Sequence, residues 1–406
     1  MRELKIDSAI RRLFEKQASL IVMGVLFALS ILIRFHLAPV TDWSGDYLYC
    51  ISPWTEQFRE LGPVQGLAAD ITNYYIPYNL VYVLASLMPT EAWVPFSLIS
   101  CVFDYVLIYT CYRILILLGG EEKSGRAAYV ALMVLFLPPV VMNSALWKQC
   151  DAIYAAFALL ALYYLLADRY RLAFVFLSIA FVFKLQTILL FPVFIIAYFC
   201  GKRYSILHWL FIPFTYLVTG IPAILCGRDP LEVYSIYLKQ SDEYHFMFMN
   251  TSGLYRLLRS DYDAMNRAGI YLVIAFLAVV FLYVYRRREA MNDRLLFLLA
   301  AVTSYACFLL LPAMHERYDY LPIVLIAVYY AYYRREKIYI AAAVVLVTSV
   351  MYCAYLFDGY FAGIRMPEEI YALICFVMLY LMIKEFTGEL NGIRDGKETT
   401  DVHQDQ

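Results

Sequence analysis

Long apolar stretches alternate with short polar ones along nearly the whole chain. The apolar runs lie at 18–38, 75–88, 93–118, 127–146, 152–167, 172–184, 187–200, 206–226, 269–285, 295–312, 320–333, 338–357 and 370–383. A helix of about 20 apolar residues spans a hydrocarbon core of ~30 Å. The pattern therefore predicts an all-α polytopic membrane protein with about 12 or 13 transmembrane helices.

Two parts of this pattern need a separate interpretation. The run at 75–88 gives only about 21 Å of helix, so it is either a partial or re-entrant helix or a short tilted span. The residues after Lys384 are polar, so we expect one transmembrane domain over 1–383 and a disordered cytoplasmic tail over 384–406.

Basic clusters predict the orientation in the membrane. They occur in the first 17 residues and at 168–171, 201–204, 286–294 and 334–337. Because cytoplasmic loops carry an excess of Lys and Arg, the N-terminus should be cytoplasmic. The loops 39–74 and 227–268 should then lie outside. There we expect short amphipathic helices at the membrane surface, because Trp54, Phe58 and Leu61 are spaced to share one helical face.

The composition agrees with a membrane protein and excludes several other classes. The chain is 63% hydrophobic and 17% charged, with a mean hydropathy of +0.64 and a net charge of −1. A soluble domain is about 45–50% apolar and about 25% charged. The near-neutral charge argues against a nucleic-acid partner. The sequence also lacks a P-loop, a dinucleotide-binding glycine motif and an HExxH metal motif.

Polar and aromatic side chains collect in the predicted outer turns. Ionisable groups at membrane depth are costly and are candidates for function. Lys184 stands out because it interrupts two apolar runs. The candidate site residues are Asp42, Asp46, Trp54, Asn73, Tyr74, Lys148, Gln149, Asp151, Lys184, Gln186, Tyr244, Asn250, His315, Glu316 and Arg317.

This distribution fits glycosyl transfer from a polyprenyl-phosphate sugar to an acceptor hydroxyl on a glycan, a glycolipid or a cell-envelope polymer. One carboxylate can serve as the base, and the phosphate leaving group needs positive charge rather than an acid. We expect Asp46 or Asp42 as the base, since four residues can place both on one helical face. Lys184, His315 and Arg317, with Arg34 or Lys148, are the candidate phosphate ligands. A single phosphate does not demand a divalent metal, and no other cofactor is expected.

Several segments resemble bacterial GT-C membrane glycosyltransferases, in particular the group related to GPI mannosyltransferase II. They are "SGDYLYCISPW", "NYYIPYNLVYVLASLMP", "FDYVLIY", "WKQCDAIYAAF", "RYRLAFVFLSIAFVFKLQTILLFP", "MNTSGLYRLL" and "MHERYDYLP", in order over about residues 30 to 330.

The resemblance implies a GT-C fold in a bacterial plasma membrane, an active site facing outside, and hexose transfer with inversion. It also implies that an acid of the first outer loop is the base, which favours Asp46 over Asp42. The His-Glu of "MHER" is similar to a motif of dolichyl-phosphate-glucose glucosyltransferases. Lys148 departs from the group, which more often has glycine there.

Two other functions fit many spans with intramembrane charge. A lipid-linked saccharide flippase or another transporter would be expected to show repeated halves and charges at the bilayer midplane. A polysaccharide polymerase would share an outer site but would join lipid-linked oligosaccharides. No internal repeat is evident, and the polar residues gather at one face, which favours the glycosyltransferase.

Overall fold

The computed structural model describes residues 5–243, 245–259, 261–357 and 366–404. The α-helices are α1 Lys5–Leu37, α2 Ser52–Ala68, α3 Ile76–Ser86, α4 Trp93–Gly119, α5 Ser124–Val134, α6 Pro138–Val141, α7 Asp151–Leu166, α8 Tyr170–Phe183, α9 Phe191–Phe199, α10 Phe211–Leu225, α11 Pro230–Tyr234, α12 Ile236–Glu243, α13 Leu254–Leu258, α14 Tyr262–Tyr285, α15 Asp293–Leu310, α16 Tyr320–Tyr333, α17 Ile338–Leu356 and α18 Glu368–Gln404.

Short 3₁₀ or π-helical segments extend or connect these helices. They are Tyr47–Ile51, Glu121–Lys123, Met142–Leu146, Leu185–Leu190, Ile206–Leu210, Arg288–Ala290, Glu316–Asp319 and Arg335–Lys337. Two-residue strands, β1 Phe248–Met249 and β2 Met314–His315, pair in parallel. This single pairing joins the long loop after α10 to the turn before α16.

The predicted class, an all-α polytopic membrane protein, is confirmed. Within the described residues, seven helices are long and apolar enough to cross a membrane, and an eighth span is possible across the bent pair Glu121–Val134 and Pro138–Leu146. Four apolar helices are shorter, at Ile76–Ser86, Asp151–Leu166, Tyr170–Phe183 and Leu185–Phe199. The sequence predicted 12 or 13 transmembrane helices, more than the seven or eight found in the described residues. The difference arises because the prediction counted each short apolar run as a transmembrane helix, whereas these helices are too short to meet the length of a span.

Two breaks in the apolar runs have clear local causes. The bend of 58° between Glu121–Val134 and Pro138–Leu146 follows from two consecutive prolines, Pro138 and Pro139, which cannot continue the helical hydrogen bonds. Helix α3 has 11 residues, about 16 Å of length, so it cannot cross a bilayer core alone.

Helix α2, within the loop 39–74 that is predicted to lie outside, confirms the predicted helix and corrects its buried face. Phe58 is almost fully buried and stacks on Tyr82, with ring centroids 5.8 Å apart. Leu61, however, is 41% exposed. Gly62 has a φ of 76° and Pro63 follows it, so the helix turns there and the three-residue stripe does not continue.

The segment after Lys384 corrects the prediction of a disordered tail, because α18 continues to Gln404. Glu385 and Glu389 lie one turn apart and face basic residues of the α16–α17 connection. The Nε atom of Arg334 lies 2.6 Å from Glu385 Oε1 and its Nη2 lies 2.5 Å from Glu389 Oε1, while Lys337 pairs with Glu385. These ion pairs stabilise a helix that its polar composition does not predict.

A buried ion pair joins the first transmembrane helix to the rest of the bundle. The Nη2 atom of Arg34 in α1 lies 2.8 Å from Oδ2 of Asp104 in α4. Asp104 also accepts hydrogen bonds from Ser144 Oγ at 2.6 Å and from the Tyr320 hydroxyl at 3.0 Å. Arg34 is therefore held by a carboxylate inside the bundle and does not line the site described below, which corrects its candidacy as a phosphate ligand.

We expect Asp104→Asn to destabilise the protein by about 3–5 kcal/mol, because it leaves the buried Arg34 guanidinium without its counter-charge. The control is Glu56→Gln, which removes an exposed ion pair with Arg59 and should cost less than about 1 kcal/mol. Thermal unfolding in detergent measures both variants. Equal shifts for the two would show that the Arg34–Asp104 pair does not join the helices.

Candidate active site

The predicted outer turns surround a cavity of about 390 Å³. That volume lies in the usual range of small-molecule sites, ~300–1,000 Å³. Nine of the residues predicted from the sequence line it: Asp46, Trp54, Asn73, Tyr74, Gln149, Lys184, Gln186, His315 and Arg317. Residues distant in sequence thus meet around one space.

The Asp46 carboxylate is held in place by three hydrogen-bond donors. Its Oδ2 accepts bonds from Trp147 Nε1 at 3.0 Å and from Gln149 Nε2 at 2.5 Å. Its Oδ1 accepts a bond from the Tyr355 hydroxyl at 2.6 Å. The side chain is still 22% exposed, so the carboxylate is both fixed and accessible from the cavity.

Local structure positions this carboxylate. Ser44 accepts a hydrogen bond from the Tyr47 amide at 3.1 Å and donates one to the Trp147 carbonyl at 3.3 Å. The Trp147 ring is fully buried and stacks on Tyr355 with centroids 4.7 Å apart. The segment between α1 and α2 is therefore joined to the connection before α7, which places Asp46 beside Gln149.

Arg317 lies between two carboxylates. Its Nη1 donates to Gln149 Oε1 at 2.8 Å and lies 3.6 Å from Asp151 Oδ2, while its Nη2 lies 3.8 Å from Asp46 Oδ2. The side chain is 12% exposed. Neither carboxylate is within hydrogen-bond distance of the guanidinium, so Arg317 has bonding capacity left for a ligand in the cavity.

Lys184 forms the second positive group of the site. Its backbone is extended, with a φ of −157°, and it ends α8. Its ammonium pairs with Asp151, the first residue of α7, and lies 5.1 Å from the centre of the Tyr318 ring. Asp151 is fully buried and also accepts a bond from Asn143 Nδ2 at 2.9 Å. Asp151 therefore lies behind the two cations and balances their charge.

Histidine and amide groups complete the polar lining. His315 belongs to β2, and its Nδ1 lies 2.6 Å from Oε2 of Glu316. On α12, Glu243 accepts hydrogen bonds from Asn73 Nδ2 at 3.0 and 3.3 Å, and Gln240 Nε2 donates to the Asn73 carbonyl. The cavity thus combines a fixed carboxylate, two buried cations and a separate group of amides and acid.

Comparison with known families identifies the class of protein. Glycosyltransferase family 87 matches residues 73–312, more than half of the chain. This chain belongs to glycosyltransferase family 87. It is therefore a multi-pass membrane glycosyltransferase. No curated protein matches the sequence.

The range that matches family 87 leaves out three residues of the site of this glycosyltransferase. It begins after Asp46 and ends before His315 and Arg317. Family membership therefore establishes glycosyl transfer but says nothing of these three residues. The assignment of Asp46, His315 and Arg317 to the site depends on the cavity that they line together. The family match also does not confirm the narrower resemblance to the group related to GPI mannosyltransferase II.

Five predicted site residues of the glycosyltransferase do not line the cavity: Asp42, Lys148, Asp151, Asn250 and Glu316. Asp42 is exposed in a turn before the helix that begins after Ser44, so it does not share a helical face with Asp46. Lys148 is buried and donates to the carbonyls of Val40 and, at 2.7 Å, Leu146.

The remaining predicted residues lie behind, beside or outside the described site. Asn250 is exposed, and Glu316 is buried behind His315. Tyr244 lies outside the described residues. In the described part of the chain, no three His, Cys, Asp or Glu side chains are grouped to hold a metal ion. Whether the glycosyltransferase needs a metal stays a prediction.

Sequence reasoning missed several residues that shape the site. Trp147 and Tyr355 hold Asp46, but the Tyr355 contact joins positions 309 residues apart and leaves no local signal. Tyr237, Gln240 and Glu243 all line the cavity. Their spacing of three residues within α12 is a helical-face signal that could have found them.

A buried acid near the site gives a pH-dependent prediction. Burial raises the pKa of Asp319 to about 8; the Thr348 hydroxyl opposes this shift, and the charges of Glu316 and Asp151 add to it. Asp319 therefore holds a proton in the folded state that the unfolded chain loses near pH 4. At this group the folded state binds more protons across this window, so the contribution of Asp319 to stability should fall as pH rises from about 4 to 8.

Replacing Asp319 by asparagine removes this titration, so the Asp319→Asn protein should unfold at a temperature that depends less on pH across about 4 to 8. Thermal unfolding at several pH values measures the slope. The control Asp42→Asn, at an exposed carboxylate, should keep the wild-type slope. A wild-type slope in Asp319→Asn as well would show that Asp319 is not protonated in the fold.

Proposed function

We propose that this glycosyltransferase moves a hexose from a polyprenyl-phosphate-linked sugar to an acceptor hydroxyl, with Asp46 as the general base and inversion at the anomeric carbon. The observation that carries the proposal is the shared cavity, in which an accessible, fixed carboxylate lies 3.8 Å from Arg317 and which Lys184 also lines. Base and phosphate ligands are the two groups that this reaction requires.

The hydrogen bonds of Asp46 indicate which oxygen would take the proton. A carboxylate oxygen accepts about two hydrogen bonds. Oδ2 already accepts two, from Trp147 and Gln149, whereas Oδ1 accepts one from Tyr355. Oδ1 therefore keeps a free acceptor position for the hydroxyl of the acceptor substrate.

The transfer is a single displacement. The acceptor oxygen bonds to the anomeric carbon as its proton passes to Asp46 Oδ1, and the bond from that carbon to the phosphate oxygen breaks. The leaving polyprenyl phosphate keeps the electron pair and gains negative charge. Arg317 and Lys184 stabilise that charge, and Asp46 then returns its proton to water.

The cavity also fits a donor with a lipid chain. Ile188 and Ile270 line it and are 38% and 40% exposed. Ile270 belongs to α14, a candidate membrane span that packs little against the rest of the protein. An apolar, exposed border on a transmembrane helix supports entry of a prenyl chain from the bilayer.

The wider setting of the reaction follows from the sequence motifs and the charge pattern. The resemblance to bacterial proteins related to GPI mannosyltransferase II supports a bacterial plasma membrane. The basic clusters support a cytoplasmic N-terminus and a cavity facing outside. Under this proposal the acceptor is a glycan, a glycolipid or a cell-envelope polymer, and the donor needs no divalent metal.

Asp46→Asn should lower the transfer rate by about 10²–10⁴ while leaving donor binding unchanged, because an amide keeps the shape but cannot take a proton. The measurement incubates purified protein with a panel of polyprenyl-phosphate sugars and candidate acceptors, and follows the donor consumed. Asp42→Asn is the matched control and should keep wild-type activity, because Asp42 lies outside the cavity.

Near wild-type transfer by Asp46→Asn would exclude Asp46 as the base, and loss of transfer in Asp42→Asn would move that role to Asp42. If both variants stay active, the mechanism proposed here is wrong.

Arg317→Lys tests the phosphate site. Lysine keeps the positive charge beside Asp151 but loses the planar, bidentate donor set of arginine. We expect the KM for the lipid-linked donor to rise about 10- to 100-fold, since a hydrogen bond to a charged group contributes ~1.5–3 kcal/mol. Arg59→Lys on α2, outside the cavity, is the control. An unchanged donor KM would remove Arg317 from the phosphate site.

A further inference from the structure

Three polar residues at one part of the cavity have no role in the mechanism above. They are Asn73, Gln240 and Glu243, here called the α12 polar group. Glu243 accepts two hydrogen bonds from Asn73, and Gln240 donates to the Asn73 carbonyl. All three line the cavity, together with Asn266 of α14. Glu243 is exposed, so its carboxylate has acceptor positions left for a ligand.

The α12 polar group lies next to the reacting groups along the chain and in space. Asn73 is followed by Tyr74, whose hydroxyl donates to Gln149 Oε1 at 3.4 Å. Gln149 in turn donates to Asp46. A substrate bound at Asn73 and Glu243 would therefore share the cavity with the proposed base, to which Tyr74 and Gln149 connect it.

The charge of this part of the cavity differs from that of the phosphate site. Lys184 and Arg317 pair with Asp151, and Arg317 also faces Asp46. Among the described residues, no lysine, arginine or histidine forms an ion pair with Glu243. A phosphate would thus be attracted to one part of the cavity and repelled by the other.

We propose that the α12 polar group is the acceptor subsite and that it selects an acceptor whose reacting end is an uncharged saccharide. This inference rests on the proposed function, in which the donor phosphate occupies the cationic part of the cavity. An ionised carboxylate only accepts hydrogen bonds, and amides both donate and accept. Together these groups match the hydroxyls of a sugar, and Glu243 disfavours a phosphorylated or otherwise anionic acceptor.

The first arm of the test compares acceptors with the wild-type enzyme. The probes are an octyl hexoside and the same octyl hexoside carrying a 6-phosphate, each with the polyprenyl-phosphate sugar that the donor panel identifies. We expect kcat/KM to be at least roughly tenfold higher for the neutral probe, because a like charge beside Glu243 disfavours binding. Equal or better use of the phosphorylated probe would overturn the proposal.

The second arm changes the subsite. Glu243→Gln should raise the KM for the neutral octyl hexoside roughly tenfold, as expected for weaker hydrogen bonds to a group that has lost its charge. It should also reduce the ratio of kcat/KM for the neutral probe to kcat/KM for the phosphorylated probe. The KM for the donor should stay within about twofold of the wild-type value. Glu232→Gln is the matched control, since Glu232 is an exposed acid of the same loop that does not line the cavity.

The possible results distinguish a failure of the subsite proposal from a failure of the proposed function. If the wild-type enzyme consumes no polyprenyl-phosphate sugar in the panel, the proposed function fails. If it transfers sugar but Glu243→Gln leaves the acceptor KM unchanged, only the subsite is wrong. Should Glu243→Gln fail to fold, Asn73→Ala replaces it, because Asn73 donates to Glu243 and lines the cavity. It should likewise raise acceptor KM but not donor KM; the reverse pattern would overturn the subsite.

Discussion

The position of Arg317 between Asp46 and Asp151 is the constraint on which the site depends. A charge removed from water is costly unless an opposite charge accompanies it. Arg317 is 12% exposed and Lys184 7%, while Asp151 is fully buried. Each of these charges is stable only beside the others. Their pairing therefore holds the segment between α1 and α2, the start of α7, the end of α8 and the turn before α16 in one place.

The same arrangement separates a carboxylate held by short hydrogen bonds from a guanidinium that lies farther from its two carboxylates. Asp46 is held by hydrogen bonds of 2.5 to 3.0 Å, whereas Arg317 lies 3.6 and 3.8 Å from its two carboxylates. A general base works best in a fixed position. A phosphate ligand has to exchange its protein partner for the substrate, and a loosely paired guanidinium can do so at little cost.

The sequence predicted the helical class and nine of the residues that line the cavity. The differences between prediction and structure have local or long-range causes. Lys184 was predictable because a charge between two apolar runs is rare. The expected helical face shared by Asp42 and Asp46 is absent because a four-residue spacing shares a face only inside a helix, and the chain turns at 41–44. The role of Tyr355 could not be predicted, since its contact with Asp46 spans 309 positions.

The central claim is a single displacement, in which Asp46 takes the proton of the acceptor hydroxyl while Arg317 and Lys184 hold the phosphate of the lipid donor. The most direct measurement is the anomeric configuration of the product, determined by NMR after transfer from a donor of known configuration. The account predicts that the product has the opposite configuration to the donor. Retention of the donor configuration would contradict it, because that result requires a double displacement or another mechanism.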